Sequence, residues 1–159
     1  MKVGFIGLGT MGASMAMNAR VKGGFDMIVH DLRRDAAGPH LEHGAKWANS
    51  AREVAEAADV VFTSLPGPKE VQAVAEELLA GMRKGTTWFD LSTNSPTVVR
   101  NLAERFAARG IAMLDAPVSG GPVGAKSGQL AILVSGDKSA YEKHKKVLDS
   151  IGDQAMHIG

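Results

Sequence analysis

The stretch Gly7-Leu8-Gly9-Thr10-Met11-Gly12 constrains the fold more than any other part of this chain. It follows an apolar run at residues 3–6 that reads as a buried strand. A helix rich in Met and Ala, predicted over residues 11–22, comes next and ends at Gly23 and Gly24. The G-x-G-x-x-G pattern alone is weak because glycine is common, but between a strand and a helix it acquires a mechanism. Gly7 permits a tight turn, Gly9 lets the backbone approach a pyrophosphate, and Gly12 lets the helix pack close to the strand. The helix start adds unpaired N–H donors and a partial positive charge, which favour phosphates.

Asp31 stands 19 residues after Gly12, at the end of a second predicted strand over residues 27–30. An acidic residue there accepts from the adenosine ribose of NAD and repels the 2′-phosphate of NADP. NAD is therefore the expected cofactor and NADP the less favoured one, with Arg33 and Arg34 close enough to soften the repulsion.

The remainder alternates strand and helix patterns. Strands are expected at residues 46–48, 60–63, 86–90, 111–114, 130–134 and 155–158, and helices at 36–43, 51–58, 70–80, 96–109 and 140–151. Ser95 and Pro96 supply the cap and first position of one helix, and Gly110 follows its end. Such alternation implies an α/β fold, a Rossmann-type doubly wound, mostly parallel sheet with helices on both faces. With 159 residues the chain suffices for one dinucleotide-binding domain, residues 1–159, and not for two ordinary ones. Residues 115–128 carry no clear element and read as a long functional loop.

Two segments then resemble the signatures of the β-hydroxyacid dehydrogenases, the family of 3-hydroxyisobutyrate dehydrogenase and, more distantly, 6-phosphogluconate dehydrogenase. The first is Phe5 to Gly12 with Met15, Ala16 and Asn18. The second is Asp115-Ala116-Pro117-Val118-Ser119-Gly120-Gly121 with Gly124, Ala125 and Gly128. The resemblance implies that Gly7, Leu8, Gly9, Thr10, Met11, Gly12 and Asp31 contact the cofactor. It also implies that Leu65 and Pro66 line its adenine side and that Thr93 sits near the nicotinamide. Ser119, Gly120 and Gly121 are implied to bind the substrate, where glycine amides and a hydroxyl make a small anion nest. The chain departs from the family at Ala19, Gln129 and Ser135, which leaves the substrate open. The family's catalytic lysine and helical second domain are expected beyond Gly159, so the chain alone is expected to bind cofactor without useful turnover.

The rest of the sequence narrows the alternatives. There is no cysteine, hence no disulfide framework or thiolate nucleophile, as a cytoplasmic protein would have it. The net charge of +1 offers no field for nucleic acid, and no apolar run is long enough for a membrane span. No residue in hand is assigned as the acid/base. Lys126 is the best-placed candidate, and His144, among Lys143, Lys145 and Lys146, reads as exposed. His40 and His43 read as a solvated pair, and no metal is expected. Trp47 and Trp88 read as packing. The expected partner is a small hydroxy acid, with a homo-oligomer for the complete protein. The alternative function is a dinucleotide-binding or redox-sensing module without chemistry, and an imine reductase ranks lower because that group lacks the second signature.

Overall fold

Short apolar strands separated by amphipathic helices bury both faces only when helices cover the sheet on each side. The computed structural model, which describes residues 1–159, has this arrangement. Its six-stranded sheet comprises β1 (Lys2–Ile6), β2 (Asp26–His30), β3 (Lys46–Trp47), β4 (Val60–Thr63), β5 (Thr87–Asp90) and β6 (Ala112–Asp115). The order is β3-β2-β1-β4-β5-β6 and every pairing is parallel. The order reverses at β1, which places the crevice for a ligand beyond the carboxyl ends of β1 and β4. The fold is a Rossmann-type α/β sheet.

Successive strand residues point to opposite faces. Val3, Phe5, Val60, Phe62, Phe89 and Leu114 join one core, whereas Ile6, Val61, Trp88 and Met113 join the other. The first core is covered by α1 (Thr10–Val21), α6 (Gly121–Ser127), α7 (Lys138–Lys143) and α8 (Lys145–Ile151). The second is covered by α3 (Ala51–Ala57), α4 (Pro68–Gly81) and α5 (Pro96–Ala107). Between β2 and β3 runs a single 3-10 turn, Arg34–Ala37, leading into the short α2 (Gly38–Glu42). Phe5, Phe62 and Phe89 stack across neighbouring strands with centroids 6.3 and 5.1 Å apart. Each such pair adds about 0.5–1.5 kcal/mol beyond area burial.

The structure corrects several sequence expectations. The last strands do not extend the parallel sheet. β7 (Val118–Ser119), β8 (Ala131–Val134) and β9 (Gln154–His157) form a separate sheet, antiparallel between β7 and β8 and parallel between β8 and β9. One antiparallel bridge, Asp115 to Ser135, joins it to β6. The supposed loop over residues 115–128 contains β7 and α6, the latter with Pro122 in its first turn and Gly128 as a left-handed cap at φ 78°. The helix expected over residues 140–151 breaks at His144, whose φ −110°, ψ 13° is not helical. His144 is buried rather than exposed, its ring edge-on to Phe89 at 6.0 Å. His40 is buried as well, not solvated, and burial lowers its pKa. Ser95 occupies its expected position, but its side chain caps nothing. Capping of that kind appears instead at Ser50, which accepts from the Glu53 amide.

Candidate functional site

The carboxyl ends of β1, β2 and β4 open on a cleft of about 660 Å³. Among the residues singled out above, Gly7, Gly9, Thr10, Met11, Gly12, Asp31, Leu65 and Pro66 line it. The three glycines of the turn differ in why they are glycine. Gly7 has φ +99°, and a Cβ there would lie 2.0 Å from the Ser64 carbonyl oxygen. A Cβ on Gly12 would lie 2.0 Å from the Gly7 carbonyl oxygen, so the helix rests directly on the turn. A Cβ on Gly9 would meet nothing within 4 Å, and its φ of −70° suits any residue. Folding does not require glycine at position 9. The missing side chain leaves the backbone open to close approach from the cleft.

The start of α1 completes this end of the cleft. Gly9 is its N-cap, no side chain caps the helix, and the first turn holds no acidic residue. The first intrahelical amide bond runs from Ala13 to Gly9, so the preceding amides point outward without partners. The arrangement suits an anion that can approach the backbone closely.

Asp31 is held by the backbone on both sides. Its Oδ2 accepts from the Leu8 amide at 2.7 Å and its Oδ1 from the Arg33 amide at 2.9 Å. The buried Leu8 thus contributes through its main chain and does not itself line the cleft. Leu32 and Arg33 form the outer lip, Leu32 being 98% exposed. Arg33 is paired with Asp35 at 3.3 Å, and the Arg34 guanidinium lies 5.3 Å over the Trp47 ring. Trp47 is therefore a cation–π platform as well as packing, worth about 0.5–1 kcal/mol at an exposed position. His30, Ser64, Glu70, Ala73, Val74 and Glu77 also line the cleft; His30 ends the second expected strand, and the others were not picked from the sequence. His30 ends β2 and Ser64 follows β4, while Glu70, Ala73, Val74 and Glu77 come from one face of α4, which the helical period alone does not assign to the cleft.

Thr93 and the trio Ser119, Gly120 and Gly121 lie outside this cleft lining. Thr93 is exposed on a loop that Asp90 braces. The buried Asp90 accepts from Thr63 Oγ1 at 2.8 Å, the Ser92 amide at 3.1 Å and Asn94 Nδ2 at 3.0 Å. Ser92 in turn accepts from the Leu65 amide at 2.8 Å, tying that loop to the cleft wall. Asp90 and Ser92 were not picked from the sequence; the available signal was a carboxylate ending an apolar strand. Asp115 faces Asp90 in register on β6. Burial and the Asp90 charge push its carboxyl up to about 6, and its Oδ1 is buried without a partner. Four residues on, Ser119, Gly120 and Gly121 are all exposed, with φ of 138° and 64° at the two glycines. Lys126 is exposed in the last turn of α6.

Comparison with known proteins matches residues 2–159 to the family described as the NAD binding domain of 6-phosphogluconate dehydrogenase. The NAD-dependent L-serine dehydrogenase of Pseudomonas aeruginosa is 40% identical over 161 residues, covering 99% of this chain and 54% of that protein. The structure of Mycobacterium tuberculosis 3-hydroxyisobutyrate dehydrogenase with L-serine superposes with a TM-score of 0.92 at 36% identity. That match covers 98% of this chain and 53% of the other. Psf3 in complex with NADP+ and 2-OPP gives 0.89 at 32% identity, covering 98% and 56%. The chain thus spans about half the length of the relatives it matches.

Proposed function

The chain belongs to the family of NAD-binding domains found in 6-phosphogluconate dehydrogenase and the other β-hydroxyacid dehydrogenases, and from that premise we propose that it seats NAD, in preference to NADP, for hydride exchange with a small 3-hydroxy acid. The observation that carries this reading is Gly9, a glycine that the fold does not need, at an uncapped helix start in a cleft.

The residues divide the work. Gly7, Gly9 and Gly12, with the amides of Thr10 and Met11, hold the pyrophosphate, while Leu8 fixes Asp31 through its own amide. Asp31 accepts from the adenosine ribose with the lone pairs that the Leu8 and Arg33 amides leave unused. Its fixed negative charge opposes a 2′-phosphate, and Arg33 at the cleft lip is engaged with Asp35 rather than with the cleft. Leu65 and Pro66 bound the adenine side. Thr93, on the loop that Asp90 and Ser92 brace, approaches the nicotinamide, which supplies the hydride chemistry when bound. Ser119, Gly120 and Gly121 hold the acid, their glycine amides and hydroxyl serving its carboxylate. The hydroxyl proton needs a positioned base; neither Lys126 nor Asp115 is assigned that role, so the 159-residue chain is proposed to bind cofactor and turn over slowly.

A redox-sensing module without chemistry is the weaker reading, because the relatives are dehydrogenases and a sensor has no use for the second signature. The same proposal includes a cytoplasmic setting, supported by the absence of cysteine, and no helix is long and apolar enough to cross a membrane. It also includes self-association, supported by the exposed apolar residues Leu133, Met156 and Ile158 on the three-stranded sheet and its extension.

Calorimetric titration with NADH tests the cofactor seat. Gly9→Val should keep the fold and lose at least about tenfold in affinity, roughly 1.4 kcal/mol or more. Equal affinity in the two proteins would overturn the assignment.

A further inference from the structure

A side chain of α1 and one from its C-cap residue reach across to α6 and hold it by its last carbonyls. Asn18, only 7% exposed, donates from Nδ2 to the Ala125 oxygen at 2.8 Å and lies 3.5 Å from the Lys126 oxygen. Lys22 donates from Nζ to the Ser127 oxygen at 2.7 Å. The final carbonyls of a helix lack partners within it, and a cation there also meets the negative end of the helix dipole. The need for outside support is plain, since α6 has seven residues, including Gly121 and Gly124, and is too short to persist unaided. It is therefore a natural opening unit, folded or frayed. Each helix begins at its own glycine-rich segment, α1 after the cofactor turn and α6 after Gly120, and the tie lies toward the opposite end of both.

We propose that Asn18 and Lys22 are positioning residues that couple the two segments. Order imposed on α1 by a dinucleotide at its N-terminus passes through them to α6, and so to Ser119, Gly120 and Gly121 ahead of it. The inference rests on the functional reading above. Removing the Asn18 amide leaves a buried carbonyl unpaired, which shifts α6 toward its frayed state and cuts the link.

Amide hydrogen exchange of the 159-residue chain, with and without NADH, tests the coupling. In the wild type NADH slows exchange in the first turn of α1 and, by about fivefold or more, at residues 124–129. In Asn18→Ala and in Lys22→Met the slowing at 124–129 disappears while that at the first turn of α1 persists, and Lys22→Arg restores it. The readout is the ratio with and without NADH. A purely structural brace would speed exchange equally in both conditions and leave that ratio alone. If Asn18→Ala fails to fold, the exposed Lys22→Met carries the same test. Protection of the turn with no change at α6 in the wild type, or a ratio that survives in the variants, overturns the coupling. No protection at the turn itself would overturn the functional reading and the coupling with it.

Discussion

A Cβ placed on Gly7 or Gly12 would come within 2.0 Å of a backbone oxygen, whereas one on Gly121 would meet nothing within 4 Å. The first glycine segment is clamped by its own strand, its own helix and the Ser64 loop. The second hangs from β8 at Val118 and Ser119 and from α1 by two side chains, and faces solvent at Ser119, Gly120 and Gly121. The difference teaches how tightly neighbouring backbone dictates the shape of each segment. The proposed cofactor seat is made largely of backbone at the ends of β1, β2 and β4. The segment proposed to hold the acid stands on an exposed edge.

The largest expected effect follows from that asymmetry. With NAD and 3-hydroxyisobutyrate, the 159-residue chain should turn over about 10²–10⁴-fold more slowly than the M. tuberculosis 3-hydroxyisobutyrate dehydrogenase it resembles, for want of a positioned acid/base. Loss of reactive geometry adds to the deficit. A spectrophotometric assay of NADH formation measures it. Comparable rates would break the contrast and make Lys126 or Asp115 the acid/base.

Within the first segment the same logic separates the glycines. Gly7→Ala combines a positive φ with a backbone collision and should cost about 3 kcal/mol of stability. Gly9→Val should change stability by less than about 0.5 kcal/mol. Urea unfolding of the two variants decides, and similar losses would mean that Gly9 serves the fold after all.

The clamped segment was legible in the sequence and the hanging one was not, for the same reason. Glycines between a strand and a helix admit essentially one geometry, so Gly7 to Gly12, Asp31 and the parallel strands around them could be read locally. The helical state of α6 is supported by burial of Ala125 and by Asn18, 107 residues away, against a composition that reads as loop. The apolar runs of β8 and β9 look like any buried strand, and only their pairing partners place them in a second sheet. His144 sits among lysines, and the break between α7 and α8 is what turns it toward Phe89. Thr93, named by resemblance, stands on a loop whose bracing by Asp90 and Ser92 depends on contacts between strands.

Asp31 offers a smaller effect that sharpens the picture of a preformed seat. Asp31→Ser removes the charge that opposes a 2′-phosphate and loosens the Leu8 and Arg33 amides. The ratio of Kd for NADP to Kd for NAD should fall by about tenfold, the scale of one charge-assisted hydrogen bond. Tighter binding of NADP than NAD by the wild type would show that the assignment of Asp31 is wrong.

The smallest effect concerns the root of the second segment and its buried neighbour region, where two groups titrate in opposite senses. Burial and the Asp90 charge push the Asp115 carboxyl up to about 6 from an ordinary 3.8. Between these values the native state holds a proton that the unfolded chain has released, so stability from this group falls as pH rises. Burial, reinforced by Lys143, pushes the His144 imidazole down to about 4 from 6.5, with both ring nitrogens unpartnered. Here the unfolded chain holds the extra proton, so stability falls as pH drops from about 6.5 toward 4. The two slopes oppose each other in the wild type. Asp115→Asn should leave the His144 slope alone and lose stability on acidification relative to the wild type. His144→Phe, which keeps a ring against Phe89, should lose stability on the alkaline side of the same window. Each difference should reach about 1 kcal/mol once solvent screening is allowed for. Asp59, whose carboxyl lies below its ordinary value through its bond from the Lys2 amide, adds an acid loss common to all three proteins, so the difference profiles are the measurement. Urea midpoints across the window, identical in slope for wild type and both variants, would show that neither burial is felt as charge.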